Sequence, residues 1–230
     1  MFSFFSKKLE FRSYVDLDRH LFANPEDIED KLRDAQFAKA VLNYGFERYI
    51  NFLADKVLSG NAFAEKYFTQ MIGTVINKII PLSDLSPSLL DKSDPRLPDY
   101  LENWFLFIDK MHFVVQKKQT KNLVYDYLTI CSFLWAVLDR LSFGSVHEER
   151  FRETVTDVLE RCVTLSDELL NESLLTKKEK DYCMNINTEA KKRLNSMKTQ
   201  NILEQLMKEK RQEMEKNGSL KALRDALAKA

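Results

Sequence analysis

The chain is short of glycine, proline, cysteine and histidine. Its 230 residues include five glycines, five prolines, three cysteines and three histidines. β-Sandwiches and barrels need many turns, so this scarcity of glycine and proline argues against them and favours long helices with few connections. Single, scattered glycines also argue against a glycine-rich loop that cradles phosphate. The sequence therefore predicts an all-α protein.

The few histidines and cysteines leave little material for metal or nucleophile chemistry. The nearest approach to a ligand pair is Asp109 with His112, whereas a di-iron bundle needs two Glu-x-x-His units and two further acids. Cys131, Cys162 and Cys183 are widely spaced and lie among apolar residues, as is typical of core cysteines in a reducing compartment. We expect no metal, no cofactor and no disulfide, and no catalytic residue can be named.

An excess of charge of one sign is also missing. Thirty-five basic residues balance thirty-five acidic ones, so no global field draws the chain to nucleic acid or to an anionic membrane. Local basic clusters exist, but each lies near acidic residues or at a helix end and is explained by a solvated helix face. These clusters are Lys117, Lys118 and Lys121; Lys177, Lys178 and Lys180; and Lys191, Lys192 and Arg193.

Long hydrophobic runs are absent as well. The longest uncharged run covers residues 127–138, which is shorter than the roughly 18 to 20 residues that a spanning helix requires. The first eight residues are apolar and then basic, the reverse of the order in a secretory signal, so we expect no signal peptide. The expected location is the cytoplasm.

The amino terminus carries the only sequence feature that suggests membrane association. On a helix, its phenylalanines would share a side with Phe11, and the lysines could reach lipid head groups. The alternative is an arm that packs on the body. The residues predicted to make this weak membrane-surface contact are Phe2, Phe4, Phe5, Lys7 and Lys8.

Apolar residues recur at helical spacing along most of the chain. Asn24-Pro25 predicts the start of the first helix, and Ser145-x-x-Glu148 and Thr176-x-x-Glu179 are capping boxes that predict two later starts. Gly45 lies inside the first run, where it either breaks the helix in two or allows another backbone to approach. The predicted helices cover about 24–58, 61–80, 99–117, 122–141, 145–169 and 176 onward, with a short one from Ser219.

The predicted organisation has three parts. Residues 1–23 form an amino-terminal arm, residues 24–197 a helical body, and residues 198–230 a charged helical extension. The body is interrupted at 81–98, a connection that holds four of the five prolines and is long enough to suggest a binding role or a short helical turn. The expected fold class is a compact multi-helix bundle with a long, charged, projecting carboxyl-terminal helix, and the helix over 122–141 is the expected centre of the core.

The carboxyl-terminal extension is the predicted partner-binding element. Glu, Lys, Gln, Leu and Met favour a helix there, but its thin apolar stripe cannot bury much against the body. The predicted contact residues are Leu203, Leu206, Met207 and Met214. They predict binding to another protein or self-association.

The function that we expect is that of a non-catalytic adaptor or scaffold. Such a subunit would mediate protein–protein interactions in a larger cytoplasmic or membrane-apposed assembly, for example secretion machinery. The alternative is an all-helical enzyme whose site is assembled from distant helices and cannot be recognised from sequence. A nucleic-acid-binding regulator is the third interpretation, and nucleic acid is the least favoured of these partners.

Overall fold

The structure, a computed structural model, describes residues 9–80, 95–140, 146–171 and 175–216. Within these ranges the regular structure is helical and contains no strand, which confirms the predicted all-α fold class. The helices are α1 (Tyr14–Phe22), α2 (Ile28–Arg33), α3 (Ala35–Tyr44), α4 (Phe46–Leu58), α5 (Ala62–Ile76), α6 (Leu97–Lys118), α7 (Lys121–Arg140), α8 (Val146–Asn171) and α9 (Lys177–Lys216).

The chain divides into two compact units, Met1–Thr154 and Val155–Ala230. In the first unit, α4 contacts α3, α5 and α6, and α6 contacts α4, α5 and α7. Helix α7 is well buried: Leu128, Leu134, Trp135 and Leu138 are each at most 4% exposed. The prediction that the helix over 122–141 contributes to the core is confirmed.

Two backbone breaks divide the first predicted helix. Asp34 has an extended ψ of 119°, and its carboxylate accepts a hydrogen bond from the Gln36 backbone N–H at 2.8 Å, which caps α3. Gly45 has φ of 114°, a conformation that an L side chain rarely adopts. The structure therefore selects the first of the two interpretations of Gly45: it separates α3 from α4.

The amino-terminal region contains a helix that the sequence analysis did not predict. The Ser13 hydroxyl caps α1 by accepting from the Asp16 backbone N–H at 3.3 Å, and Asp16 accepts in return from the Arg12 backbone N–H at 2.9 Å. The prediction that an α-helix capped by Asn24 starts here is wrong. Residues 25–27 form a single 3₁₀ turn, and the Asn24 side chain makes no capping hydrogen bond to it. The available signal was the Ser13-x-x-Asp16 spacing, a variant of the capping box.

The middle helices begin and end close to the predicted positions. A helix was predicted to start at residue 61, and the structure shows that Asn61 caps α5, since its side-chain oxygen accepts from the Ala64 N–H at 2.9 Å. Helix α5 ends at Ile76, earlier than predicted, and Pro98 lies in the first turn of α6 rather than in the connection. Proline is tolerated there because a first-turn N–H has no helical acceptor. Residues 81–94 of the predicted connection lie outside the described residues.

The second unit contains most of α8 and all of α9. Its predicted capping box is confirmed: the Glu179 carboxylate accepts from the Thr176 N–H at 2.8 Å and the Thr176 hydroxyl accepts from the Glu179 N–H at 3.3 Å. Helix α9 then continues for 40 residues, about 60 Å at 1.5 Å per residue. The predicted long, charged carboxyl-terminal helix is thus present. The predicted cap at Ser145 and the short helix from Ser219 lie outside the described residues.

Candidate protein interaction surface

The first half of α9 is anchored by a narrow buried face. Cys183, Ile186, Ala190 and Leu194 are at most 7% exposed, and so is the polar residue Asn187. Successive residues of an α-helix are rotated by about 100°, which places these five side chains within an arc of about 100°. This half of α9 therefore has one side that is committed to packing.

A buried polar cluster joins this face to α8. The side-chain amide of Asn187 donates to Ser166 Oγ at 2.7 Å, to Asp167 Oδ1 at 2.9 Å and to the Val163 carbonyl at 3.3 Å. Lys191 adds an ion pair to Asp167 at 3.3 Å. Because a buried amide needs partners at fixed positions, this cluster specifies which side of α9 faces α8.

The second half of α9 presents large apolar side chains to solvent. Ile202, Leu203, Leu206 and Met207 are 58%, 55%, 54% and 73% exposed. They occupy two consecutive turns, where residues three and four positions apart are neighbours. We call these four residues the α9 stripe. Isolated exposed apolar residues are ordinary on protein surfaces, whereas these four lie next to one another and form an apolar patch.

The α9 stripe and the buried face lie on opposite sides of the same helix. At about 100° per residue, the stripe spans an arc of about 140° whose centre is about 180° from the centre of the buried face. The helix is continuous between the two halves. Because of this change of side, the stripe is not a continuation of the face that packs on α8.

The surroundings of the α9 stripe are polar and charged. From Glu204 to Lys216 the described charged side chains are exposed, and they include Lys208, Glu209, Lys210 and Arg211. An apolar stripe bordered by charges on a long helix is the pattern recognised by helix-in-groove binding, in which a partner supplies an apolar groove with a polar rim.

The structure places the sequence-predicted contact residues as follows. Leu203, Leu206 and Met207 lie together in the stripe, whereas Met214 is half-buried and lies about two turns beyond Met207. Sequence reasoning missed Ile202, although its spacing of four from Leu206 was available as a signal. That these residues bind a partner stays a prediction. Residues 1–8, predicted to contact a membrane, lie outside the described residues.

Phe11 was expected to extend the amino-terminal apolar side, and the structure gives it a different place. It precedes α1, is not helical, and is 5% exposed. Its ring lies 5.3 Å from that of His20 and 6.0 Å from that of Phe37. Phe11 is therefore part of the packed body, in agreement with the alternative interpretation for this residue.

The residues considered for metal binding do not form a metal site in the parts of the chain that the structure describes. No group of three or more His, Cys, Asp or Glu residues there could hold a metal ion, and Asp109 is exposed while His112 is half-buried. Burial raises the pKa of the Asp126 carboxyl and lowers the pKa of the His20 imidazole. Cys131, Cys162 and Cys183 are buried, as expected for core residues.

Several residues of the basic clusters are engaged within the protein. The Lys118 ammonium contacts the Glu65 carboxylate and donates to the Val57 carbonyl at 3.3 Å. Arg193 pairs with Glu189 at 2.9 Å, and Lys191 pairs with Asp167 as described above. These contacts are the acid pairing that the sequence indicated, and they reduce the positive charge available to phosphates.

Among the described residues, no helix is both long enough and apolar enough to cross a membrane. No protein-family model, no curated protein and no solved structure matches this chain.

Proposed function

We propose that this protein is a non-catalytic helical adaptor or scaffold that binds another protein through the α9 stripe. The observation that carries the proposal is the exposure of four adjacent apolar side chains on a helix that is firmly anchored elsewhere. Burying apolar surface is worth about 25 cal/mol per Å². A partner groove that covers these side chains would therefore contribute several kcal/mol to association.

The anchored half of α9 supports the proposal because it reduces the cost of binding. A short isolated helix is marginal in water, and ordering it on binding would consume part of the interaction free energy. Here the capping box at Thr176 and the polar cluster around Asn187 hold the first half of the same helix. The stripe is presented on a continuous helix, so less ordering is needed when a partner binds.

The direct test is a comparison of full-length proteins that differ only in the stripe. The double variant Leu203→Gln, Leu206→Gln removes apolar surface and keeps strong helix formers. Purified from the cells that make it, the tagged wild type should retain partner proteins, identified by mass spectrometry, that the double variant loses. Size-exclusion chromatography with light scattering, applied to the wild type and the double variant, would measure self-association.

The matched control is Met184→Gln on the same helix. Met184 is 55% exposed, close to the exposure of Leu203, but it lies outside the stripe. The control should retain the partners of the wild type, and both variants should melt at nearly the wild-type temperature because exposed side chains contribute little to stability. Retention of every wild-type partner by the double variant, with an unchanged oligomeric mass, would refute the proposal.

A further inference from the structure

An aromatic cluster joins the non-helical segment Leu9–Ser13 to the helices that follow it. The Phe11 ring contacts the His20 ring edge-on at a centroid distance of 5.3 Å, and His20 stacks on Phe37 at 5.6 Å with an interplanar angle of 11°. Phe11 and Phe37 are themselves 6.0 Å apart. The three rings therefore contact one another pairwise, and the imidazole is one of the two rings that hold Phe11 in place.

The imidazole of His20 is poorly prepared to carry a charge in this position. Its Nε2 atom is buried and has no hydrogen-bond partner among the residues that the structure describes, so a proton added there would have no acceptor in this part of the chain. The Lys31 ammonium on α2 acts against a positive ring, while Asp34 at the start of α3 acts in favour of one. Burial has the largest effect, and the pKa of His20 is lowered from its ordinary value.

We propose that His20 is a pH-sensitive latch that holds Leu9–Ser13 against α1 and α3 at neutral pH and releases it on mild acidification. In the released state the imidazole is solvated and accepts a proton at its ordinary pKa of about 6.5. The docked state binds this proton less readily. The equilibrium constant for docking of Leu9–Ser13 is therefore largest above about pH 6.5. It falls by up to tenfold per pH unit as the pH decreases toward the lower pKa of the docked form.

A second titratable group at the segment, the Asp16 carboxylate, does not produce the same change. The Asp16 carboxylate accepts from the Arg12 N–H and from the Ser13 hydroxyl, and these hydrogen bonds lower its pKa, so it stays ionised through this window. Arg12 pairs with Glu10 at an exposed position. Attraction between a protonated His20 ring and the face of Phe37 acts against release. Release on acidification requires that the cost of burying the charge exceeds this attraction.

The test is amide hydrogen exchange of the full chain, followed by mass spectrometry between pH 7.5 and pH 5.5 and corrected for intrinsic exchange. Protection of peptides that cover Leu9–Ser13, including the Arg12 amide that donates to Asp16, should fall severalfold to tenfold per pH unit below pH 6.5. The variant His20→Phe keeps an aromatic ring in the cluster and cannot titrate. Its protection should be independent of pH over this range.

The control His112→Gln removes a different half-buried histidine and should leave the wild-type pH dependence intact. If His20→Phe does not fold, His20→Leu serves the same purpose, because it also removes the titrating group and places an apolar side chain in the cluster. Constant protection of Leu9–Ser13 in the wild type, or an equal fall in the variant that lacks His20, would overturn the proposal. A fall confined to proteins with His20 would support it.

Discussion

The Asn187 cluster allows a sharp test of what fixes the orientation of α9. Replacing Asn187 by Ala removes an amide that donates to Ser166, Asp167 and the Val163 carbonyl. An amide has two hydrogens, so these three contacts amount to about two full hydrogen bonds. One of them goes to a charged carboxylate that is half exposed and is therefore partly screened by solvent.

The expected cost follows from these contacts. A typical hydrogen bond contributes about 1 kcal/mol, and one to a charged group about 1.5–3 kcal/mol. With the charged bond taken at the low end because Asp167 is exposed, Asn187→Ala should lower the free energy of unfolding of α9 by about 2–3 kcal/mol. Ser166 keeps its bonds to the Cys162 and Val163 carbonyls, so no hydroxyl is left without an acceptor and the loss should not exceed this range.

Asn185→Ala is the matched control, since Asn185 lies two residues away on the exposed side of the same helix. Ala is the better helix former by roughly 0.5 kcal/mol at either position, so the difference between the two variants cancels that effect. The measurement is native-state hydrogen exchange of amides from Cys183 to Leu194, with urea unfolding as a second readout. If both variants shift protection equally, the polar cluster does not anchor α9 and our reasoning about its orientation is wrong.

Two further predictions concern the first unit. Gly45→Ala should destabilise the protein by more than about 1 kcal/mol because of the backbone φ of 114°; steric contact is not the cause, since a Cβ would meet only Arg48 side-chain atoms at 3.7 Å or more. Gly73→Ala, inside α5 and with nothing within 4 Å of the added Cβ, should instead stabilise the protein by about 0.5–1 kcal/mol. Urea unfolding measures both changes. Trp135→Ala should lower the free energy of unfolding by about 3–5 kcal/mol because Trp135 is 3% exposed. Phe113→Ala, at a position that is 42% exposed, should lower it by less than about 1 kcal/mol. Similar melting temperatures for these two variants would contradict the assignment of the core.

The sequence by itself determined the fold class and most helix boundaries. Helical spacing of apolar residues and the scarcity of glycine and proline act locally, so they are readable without the fold. The predicted cap at Thr176 and the predicted helix start at residue 61 are confirmed for the same reason, since a cap bonds to N–H groups two or three positions along the chain. The exposed residues Leu203, Leu206 and Met207 were likewise identified from a stripe too narrow to be buried.

Tertiary structure decided the features that depend on residues distant in sequence. The break at Gly45 required its φ, because a glycine within a helical run is compatible with either interpretation. The sequence alone groups Phe11 with the amino-terminal phenylalanines, and only the fold brings His20 and Phe37 around its ring. The contacts of Asn187 with residues about 20 positions away could not be read from the sequence, because a side-chain amide is compatible with solvent until a neighbouring helix supplies its acceptors.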